Sequence, residues 1–272
     1  MTKLTNKVIW ITGASSGIGE QLVRKLAPRH NTIIISGRRK KELERVRSGI
    51  SSELQKNIHI VPLDLSQLDT LDAAAKKALK IHGAIDVLFN NGGISQRSMV
   101  KDTAFDVDAR LMNVNFLSTV KLTKHVLPGM IANGGGHIVL TSSLVGKFGT
   151  PFRSSYAASK HALHGFYEAL AAEMWKDNVF ITLFCGGYIK TNISYNAITG
   201  DGSAHKKLDD NQAKGKTAQA AASVMIGAVE ANRQEVYFGG KEVMGVYLKR
   251  FFPSLLRRIV RKMQIKEAAK AE

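Results

Sequence analysis

Short runs of β-branched residues alternate along this chain with longer stretches whose apolar positions recur at helical spacing. The strand-like runs are Val8–Thr12, Thr32–Ser36, Ile58–Pro62, Val87–Asn90, His137–Ser142, Val179–Phe184 and Glu235–Phe238. Helical patterns lie between them at Gly17–Ala27, Lys40–Leu54, Gln67–Lys80, Asp106–Ile131, Ser154–Lys176 and Thr217–Ala231. This alternation predicts βαβ units, and so a parallel sheet of about seven strands with helices on both faces. Connections are short, and no linker or low-complexity tract precedes residue 190. One doubly wound α/β domain therefore accounts for residues 1–240. Residues 190–216 are polar, contain glycine and show no strand pattern. A long loop in a compact domain is a natural substrate-binding element. Residues 241–272 mix basic and apolar positions and read as an extension of the same domain.

Composition adds two constraints. Lys plus Arg number 39 against 22 acids, a formal charge of +17, which predicts attraction to anions. Such partners include a phosphorylated cofactor, an acidic protein or an anionic membrane; a soluble basic surface explains the charge equally well. No nucleic-acid motif accompanies it, so nucleic acid is not an expected partner. The one cysteine, Cys185, cannot close an internal disulfide, which favours a reducing, cytoplasmic setting. Met1 to Lys7 leave no room for a signal peptide before the first strand-like run. No run of about 18 apolar residues is present to span a bilayer.

The first run leads into Thr12-Gly13-Ala14-Ser15-Ser16-Gly17-Ile18-Gly19 and then a helical pattern. Glycines there let the backbone turn tightly against a pyrophosphate, while the helix N-terminus offers N–H groups and a positive dipole. The second run ends in Gly37-Arg38-Arg39. In dinucleotide sites an acid near this point holds a ribose 2′-hydroxyl, whereas an arginine accommodates a 2′-phosphate. Arg38, with Arg39 in support, argues for NADP(H). Asp64 and Leu65 follow the third run and Asn91 the fourth, at strand ends where such sheets bind ligands. Asp64 also fits a helix N-cap.

Ser143 ends the fifth run, and Tyr156 and Lys160 follow at helical i,i+4 spacing. A carbonyl that receives a hydride needs a proton on its oxygen. A phenol can supply it, and a nearby ammonium lowers the pKa of that phenol. Ser143 can hold the substrate oxygen against Tyr156. No metal is called for by this chemistry.

These motifs resemble the short-chain dehydrogenase/reductase family over residues 6 to about 240. Its glycine motif matches Thr12–Gly19, and its Asn-Asn-Ala-Gly motif matches Asn90 to Gly93 with Gly92 for alanine. Its asparagine, serine, tyrosine and lysine match Asn115, Ser143, Tyr156 and Lys160. The resemblance implies a Rossmann-type fold and a proton-relay water held by Asn115 with Lys160. It further implies ribose binding by Lys160 and carboxamide contacts from Ile189 and Thr191. Gly186 stands where the family has proline. Segments 91–98 and 191–202 are most similar to the branch called dehydrogenase/reductase members 7 and 7B and their bacterial relatives. That branch implies lipophilic carbonyl substrates such as steroids and retinoids. Some of its members carry an N-terminal membrane anchor; none is expected from the residues before the first strand-like run, so their membrane localisation does not carry over by resemblance.

The expected activity is hydride transfer between NADP(H) and a lipophilic carbonyl or secondary alcohol. A 3-oxoacyl-carrier-protein reductase shares the chemistry, and a non-catalytic NADP(H) sensor shares the fold. Leu144, Val145, Phe148, Phe152 and Tyr188 suggest an apolar substrate pocket. The family forms homodimers and homotetramers through its helices at 106–131 and 154–176. Within the tail, Pro253 fits the start of a helix that places Leu255, Leu256, Ile259 and Met263 on one face. That helix has three readings: a cover for the substrate cleft or a subunit interface, a contact with an anionic membrane, or a dock for an acidic carrier protein.

Overall fold

The computed structural model describes residues 1–268, with side chains described as far as Met263. The last four positions of the predicted tail lie outside the described residues. Among the described residues nine strands form: β1 (Val8–Thr12), β2 (Thr32–Ser36), β3 (Ile58–Ile60), β4 (Val87–Asn90), β5 (Gly136–Ser143), β6 (Val179–Gly186), β7 (Ile189–Lys190), β8 (Lys216–Thr217) and β9 (Glu235–Phe238). Seven of them make one parallel sheet in the order β3-β2-β1-β4-β5-β6-β9. The chain winds outward from β1 in one direction, then returns and winds outward from β4 in the other. The switch between β1 and β4 opens a crevice at the carboxyl ends of the strands.

The α-helices are α1 (Gly17–Leu26), α2 (Lys40–Ser48), α3 (Ser52–Gln55), α4 (Leu71–His82), α5 (Phe105–Met112), α6 (Ser118–Ala132), α7 (Ser154–Glu173), α8 (Asp210–Ala213), α9 (Ala218–Glu230), α10 (Met244–Phe251) and α11 (Pro253–Ala268). Side-chain alternation along the strands divides the core into two layers. Ile9, Ile11, Ile33 and Ile35 pack with Leu22, Leu26, Leu43, Met225 and Val229 on one face. Trp10, Ile34, Leu88, Ile138 and Leu140 pack with Leu71, Leu122, Val126, Leu163 and Tyr167 on the other. Both faces of the central strands are covered, which is why those runs are almost wholly apolar. The polar end of Trp10 is satisfied inside: its indole N–H donates to Ser36 Oγ at 2.9 Å.

Three details depart from the pattern reading. The helical stretch 40–54 is two helices broken near Gly49. The stretch 106–131 is one run of helix interrupted by a π-helical turn, Asn113–Leu117. The loop 190–216 is not free of strand. Its ends are tied by the parallel pairing of β7 with β8, and Ile198 bridges both Gln96 and Ala204. These pairings are too short to leave a period-two signature in sequence.

Candidate active site

A continuous cavity of about 730 Å³ runs along the carboxyl ends of the strands. Its walls include Gly13, Ser15, Ser16, Gly17, Ile18, Arg38, Arg39, Asp64, Leu65 and Asn91 at one end, and Ser143, Tyr156, Lys160, Ile189 and Thr191 at the other. Two of the sequence-predicted residues, Gly19 and Asn115, stand behind the wall and act through packing and hydrogen bonds.

At the cofactor end, β1 enters α1 through a left-handed turn, with φ of 64° at Gly13 and 59° at Gly17. A Cβ on Gly13 would stand 2.7 Å from Gly92 Cα, so the two loops touch backbone to backbone. A Cβ on Gly19 would collide with the Gly13 carbonyl oxygen, which is why Gly19 matters without facing the cavity. Ser16 is the N-cap of α1 and makes no side-chain capping bond. The first-turn N–H groups and this hydroxyl therefore remain available to an anion. Asn91 braces the turn: its Nδ2 donates to the carbonyls of Thr12 and Gly13, each at 3.2 Å, and its Oδ1 accepts from Thr141 Oγ1 at 3.1 Å. Asp64 Oδ1 accepts from the backbone and hydroxyl of Ser66 at 2.9 and 2.8 Å, a local turn that fixes the loop after β3. Arg38 and Arg39 are exposed at the rim. A Cβ-free cradle, an open helix N-terminus and two guanidinium groups fit a phosphorylated dinucleotide.

At the reacting end, Tyr156 and Lys160 share a face of α7, with Lys160 Nζ 5.7 Å from the centroid of the phenol ring. Lys160 Nζ donates to Thr141 O at 2.8 Å. Burial of the ammonium lowers its pKa to about 8. Burial also raises the Tyr156 phenol above its usual value, while the Ser143 hydroxyl and the charges of Arg97 and Arg153 pull it back. The sequence reading expected a phenol shifted downward by Lys160. Desolvation outweighs the neighbouring charges and the net shift is upward. Ser143 Oγ donates to Gly186 O at 3.2 Å, a long hydrogen bond.

The π-helical turn carries Asn115 into the interior. Its Oδ1 accepts from Ile94 N at 2.9 Å, and its Nδ2 donates to Ile94 O and Ser159 Oγ, each at 3.0 Å. The amide is thereby locked to the loop after β4. A Cβ placed on Gly93 would be 2.9 Å from Asn115 Oδ1 and 3.6 Å from Lys160 Nζ, so both flank the same glycine.

Several residues at the site left no readable mark in the sequence. Arg97 and Arg153 line the cavity and share a carboxylate, Asp209, at 2.5 and 3.2 Å. Burial raises the Asp209 carboxyl, but the two guanidinium groups more than offset this and hold it below the usual range. Arg97 also donates to Ser95 Oγ at 2.8 Å, and so joins the segment after β4 to the 190–216 loop. Glu242 Oε1 accepts from Tyr188 N at 3.0 Å, anchoring the loop after β6 to the start of the tail. Charged residues in loops carry no periodicity, so only Arg97 and Asp209 meeting in space reveals the pair.

The expected apolar wall is present in Leu144, Val145, Phe148 and Tyr188. Phe152 is not part of it: it adopts φ 63° in the turn before α7, where its carbonyl accepts from Ser98 N at 3.2 Å. The tail completes the wall. α11 starts at Pro253 and contributes Leu256, Ile259, Val260 and Met263 to the cavity. Its predicted apolar face is split, since Leu255 and Ile259 are 47% and 41% exposed while Leu256 is buried.

Behind Lys160, one turn further along α7, His164, Cys185 and Glu235 place donor atoms within 4.8 Å of one another. Ser142 Oγ meets His164 Nε2 at 3.0 Å, and Lys147 Nζ donates to Glu235 Oε1 at 2.7 Å. The ammonium on the carboxylate makes this a hydrogen-bonded chain in which the positive charge is already supplied. Burial lowers the His164 pKa to about 4, so the imidazole is neutral.

Comparison with known proteins agrees with this geometry. The family model described as short chain dehydrogenase matches residues 7–201. The chain is 43% identical over 265 residues to a dehydrogenase/reductase SDR family protein 7-like of Anopheles gambiae, covering 95% of this chain and 83% of that protein. It is 39% identical over 268 residues to dehydrogenase/reductase SDR family member 7B of Mus musculus, covering 97% and 83%. Among solved structures, a short chain dehydrogenase/reductase from Burkholderia phymatum in complex with NAD superposes with a TM-score of 0.81. That likeness covers 94% of this chain and 96% of the other at 23% identity, and so bears on the fold alone. With the family's motifs gathered around one cavity, the chain belongs to the short-chain dehydrogenase/reductase family of oxidoreductases.

Proposed function

We propose that the protein transfers a hydride between NADP(H) and a lipophilic carbonyl or secondary alcohol. The observation that carries this reading is the continuous cavity joining Arg38 and Arg39 at one end to Ser143, Tyr156 and Lys160 at the other. A bound NADPH supplies the hydride at the reacting end. The chain's own task is to hold the carbonyl oxygen and give it a proton. Ser143 Oγ orients that oxygen, and the Tyr156 hydroxyl donates the proton. Lys160, Arg97 and Arg153 place positive charge around the phenolate that remains. In the reverse direction the phenolate accepts the alcohol's proton.

Preference for the 2′-phosphate rests on two rim arginines and on the absence of an acid at the end of β2. The Burkholderia protein holds NAD, so fold alone does not choose between the two cofactors. Initial rates with NADPH and NADH decide the matter: a tenfold preference for NADH overturns the NADP(H) reading. The apolar wall from Leu144, Val145, Phe148, Tyr188 and α11 supports a lipophilic substrate. A panel of ketones, aldehydes, quinones and 3-oxoacyl thioesters tests this, and turnover confined to the thioesters would move the assignment to an acyl-carrier reductase. Ala158, Ala169 and Ala172 on the solvent side of α7 support a homo-oligomer paired through that helix, which molecular mass in solution tests.

A further inference from the structure

Six of the 15 large hydrophobic side chains that the described residues expose fall between positions 244 and 259. They are Met244, Tyr247 and Phe251 on α10, Phe252 at the junction, and Leu255 and Ile259 on α11. Spacings of i,i+3,i+7 and i,i+4 put each set on one helix face. Met244 and Ile259 also reach the cavity lining and Tyr247 packs edge-on against the Tyr237 ring, so the part of this edge that packing leaves uncovered is Phe251, Phe252 and Leu255. The inward faces of the same helices already carry Gly245, Leu248, Leu256, Val260 and Met263 against the cavity and its wall. Phe251 and Phe252 are 68% and 63% exposed, a costly arrangement for a helix pair that faces only water.

Cations border this edge. Arg258 and Lys262 each follow an exposed apolar residue by three positions, Leu255 and Ile259, and so lie beside them on α11. Arg250 immediately precedes Phe251. Among the described residues, no ion pair joins these three cations to a carboxylate. Aromatic and aliphatic side chains bordered by Arg and Lys suit the boundary between headgroups and acyl chains of an anionic bilayer. Among the described residues no helix is long and apolar enough to cross a membrane, so such contact would be with the surface.

We infer that α10 and α11 dock the protein on an anionic membrane surface through Phe251, Phe252, Leu255 and Ile259, with Arg250, Arg258 and Lys262 on the headgroups. Because the neighbouring face of α11, from Ile259 through Met263 and Leu256 to Val260, lines the cavity, docking sets the cavity beside the lipid phase. Delivery of substrate from that phase rests on the lipophilic-substrate reading above; the docking itself does not.

The test is co-sedimentation of the full chain with vesicles at physiological salt, which reads binding without turnover. Binding to vesicles of phosphatidylcholine with one-fifth phosphatidylserine is expected, and at least tenfold weaker binding to phosphatidylcholine alone. Phe251→Ser/Phe252→Ser and Arg250→Gln/Arg258→Gln/Lys262→Gln should each weaken binding about tenfold, with thermal unfolding unchanged. A control triple, Lys249→Gln/Arg257→Gln/Arg261→Gln, removes equal charge from a groove on the other flank of α11 and should retain most binding. No binding to anionic vesicles overturns the inference. So does equal loss in the two charge triples, which would mean unoriented attraction, or full binding by the phenylalanine variant. Capture of an acidic acyl carrier protein in place of vesicles also overturns it.

Discussion

Arg97, in the wall of the cavity, places Nη2 2.5 Å from Asp209 Oδ2, with the two side chains 10% and 20% exposed. The pair fastens the loop that follows β7 to the segment that follows β4. Arg97 also helps to pull down a Tyr156 pKa that burial has raised. The two partners should therefore move the phenol in opposite directions. Arg97→Met removes a positive charge and should shift the pH profile of alcohol oxidation upward by about one unit. Asp209→Asn leaves Arg97 and Arg153 less neutralised and should shift it downward. Each variant should also lose roughly 2–3 kcal/mol of stability, since one partner of a largely desolvated pair is stranded. Shifts of the same sign in the two variants would show that the pair only holds the loop.

Lys160 gives a stability signature in the cofactor-free protein. Burial depresses its folded-state pKa to about 8 from its ordinary value of 10.5. Between those values the unfolded chain binds more protons than the folded one, so stability rises with pH across the window. The charged form is the one that burial penalises, and its cost is fully felt below pH 8. Lys160→Met should flatten this rise. The difference in unfolding free energy between wild type and variant should change by about 3 kcal/mol over the window. Denaturant melts at pH 7.5, 9 and 10 would check it. A parallel pair of curves would mean that Lys160 keeps an ordinary pKa in the folded chain.

The strands and glycine turn were legible because each obeys a local rule. Val8–Thr12 is apolar throughout since both its faces are covered, and Gly13 and Gly17 mark left-handed backbone. Tyr156 and Lys160 were legible through helical spacing. Asn115 has no such signature: its position depends on a π-helical turn whose extra residue breaks the 3.6 period. Arg97, Arg153 and Asp209 come from three separate segments and meet only after the sheet has formed. The net direction of the Tyr156 shift is invisible in the sequence for the same reason. Desolvation depends on what closes over a side chain, and here that includes loop residues far away in sequence.

Gly92 replaces an alanine of the family motif, and Leu65 explains it. A Cβ on Gly92 would stand 2.5 Å from Leu65 Cδ1 and 3.4 Å from Gly13 N. Gly92→Ala should push Leu65 out of its rotamer, costing about 1 kcal/mol. Because Leu65 lines the cofactor end of the cavity, KM for NADPH should rise several-fold while kcat changes little. Adding Leu65→Ala should recover most of the loss. A double-mutant cycle with no coupling would show that the two side chains are independent.

Arg38 and Arg39 separate binding from chemistry. Neither approaches the reacting end, so their loss should leave the hydride and proton steps intact. Arg38→Ala should raise KM for NADPH by roughly 10- to 100-fold, the loss of a charge-assisted bond to phosphate of about 1.5–3 kcal/mol. KM for NADH should hardly change, because that cofactor has no 2′-phosphate to lose. The larger effect belongs to Arg38, with Arg39 contributing less as the N-cap residue of α2. Equal losses for both cofactors would mean that Arg38 serves the adenine or the loop instead of the phosphate.

Tyr156→Phe removes one oxygen atom from the reacting end and leaves the ring in place. The hydrogen bonds of Lys160 to Thr141 and of Asn115 to Ile94 do not involve that oxygen, so the fold should persist. A carbonyl reduced without a positioned acid must take its proton from water, and kcat should fall by about 10²- to 10⁴-fold. Cofactor affinity, read by fluorescence titration with NADPH, should stay within about twofold of wild type, since a binding change of that size is under 0.5 kcal/mol. This pairing distinguishes an enzyme from a binding protein. If Tyr156→Phe turns over as fast as wild type on any substrate the wild type accepts, Tyr156 is not the proton donor.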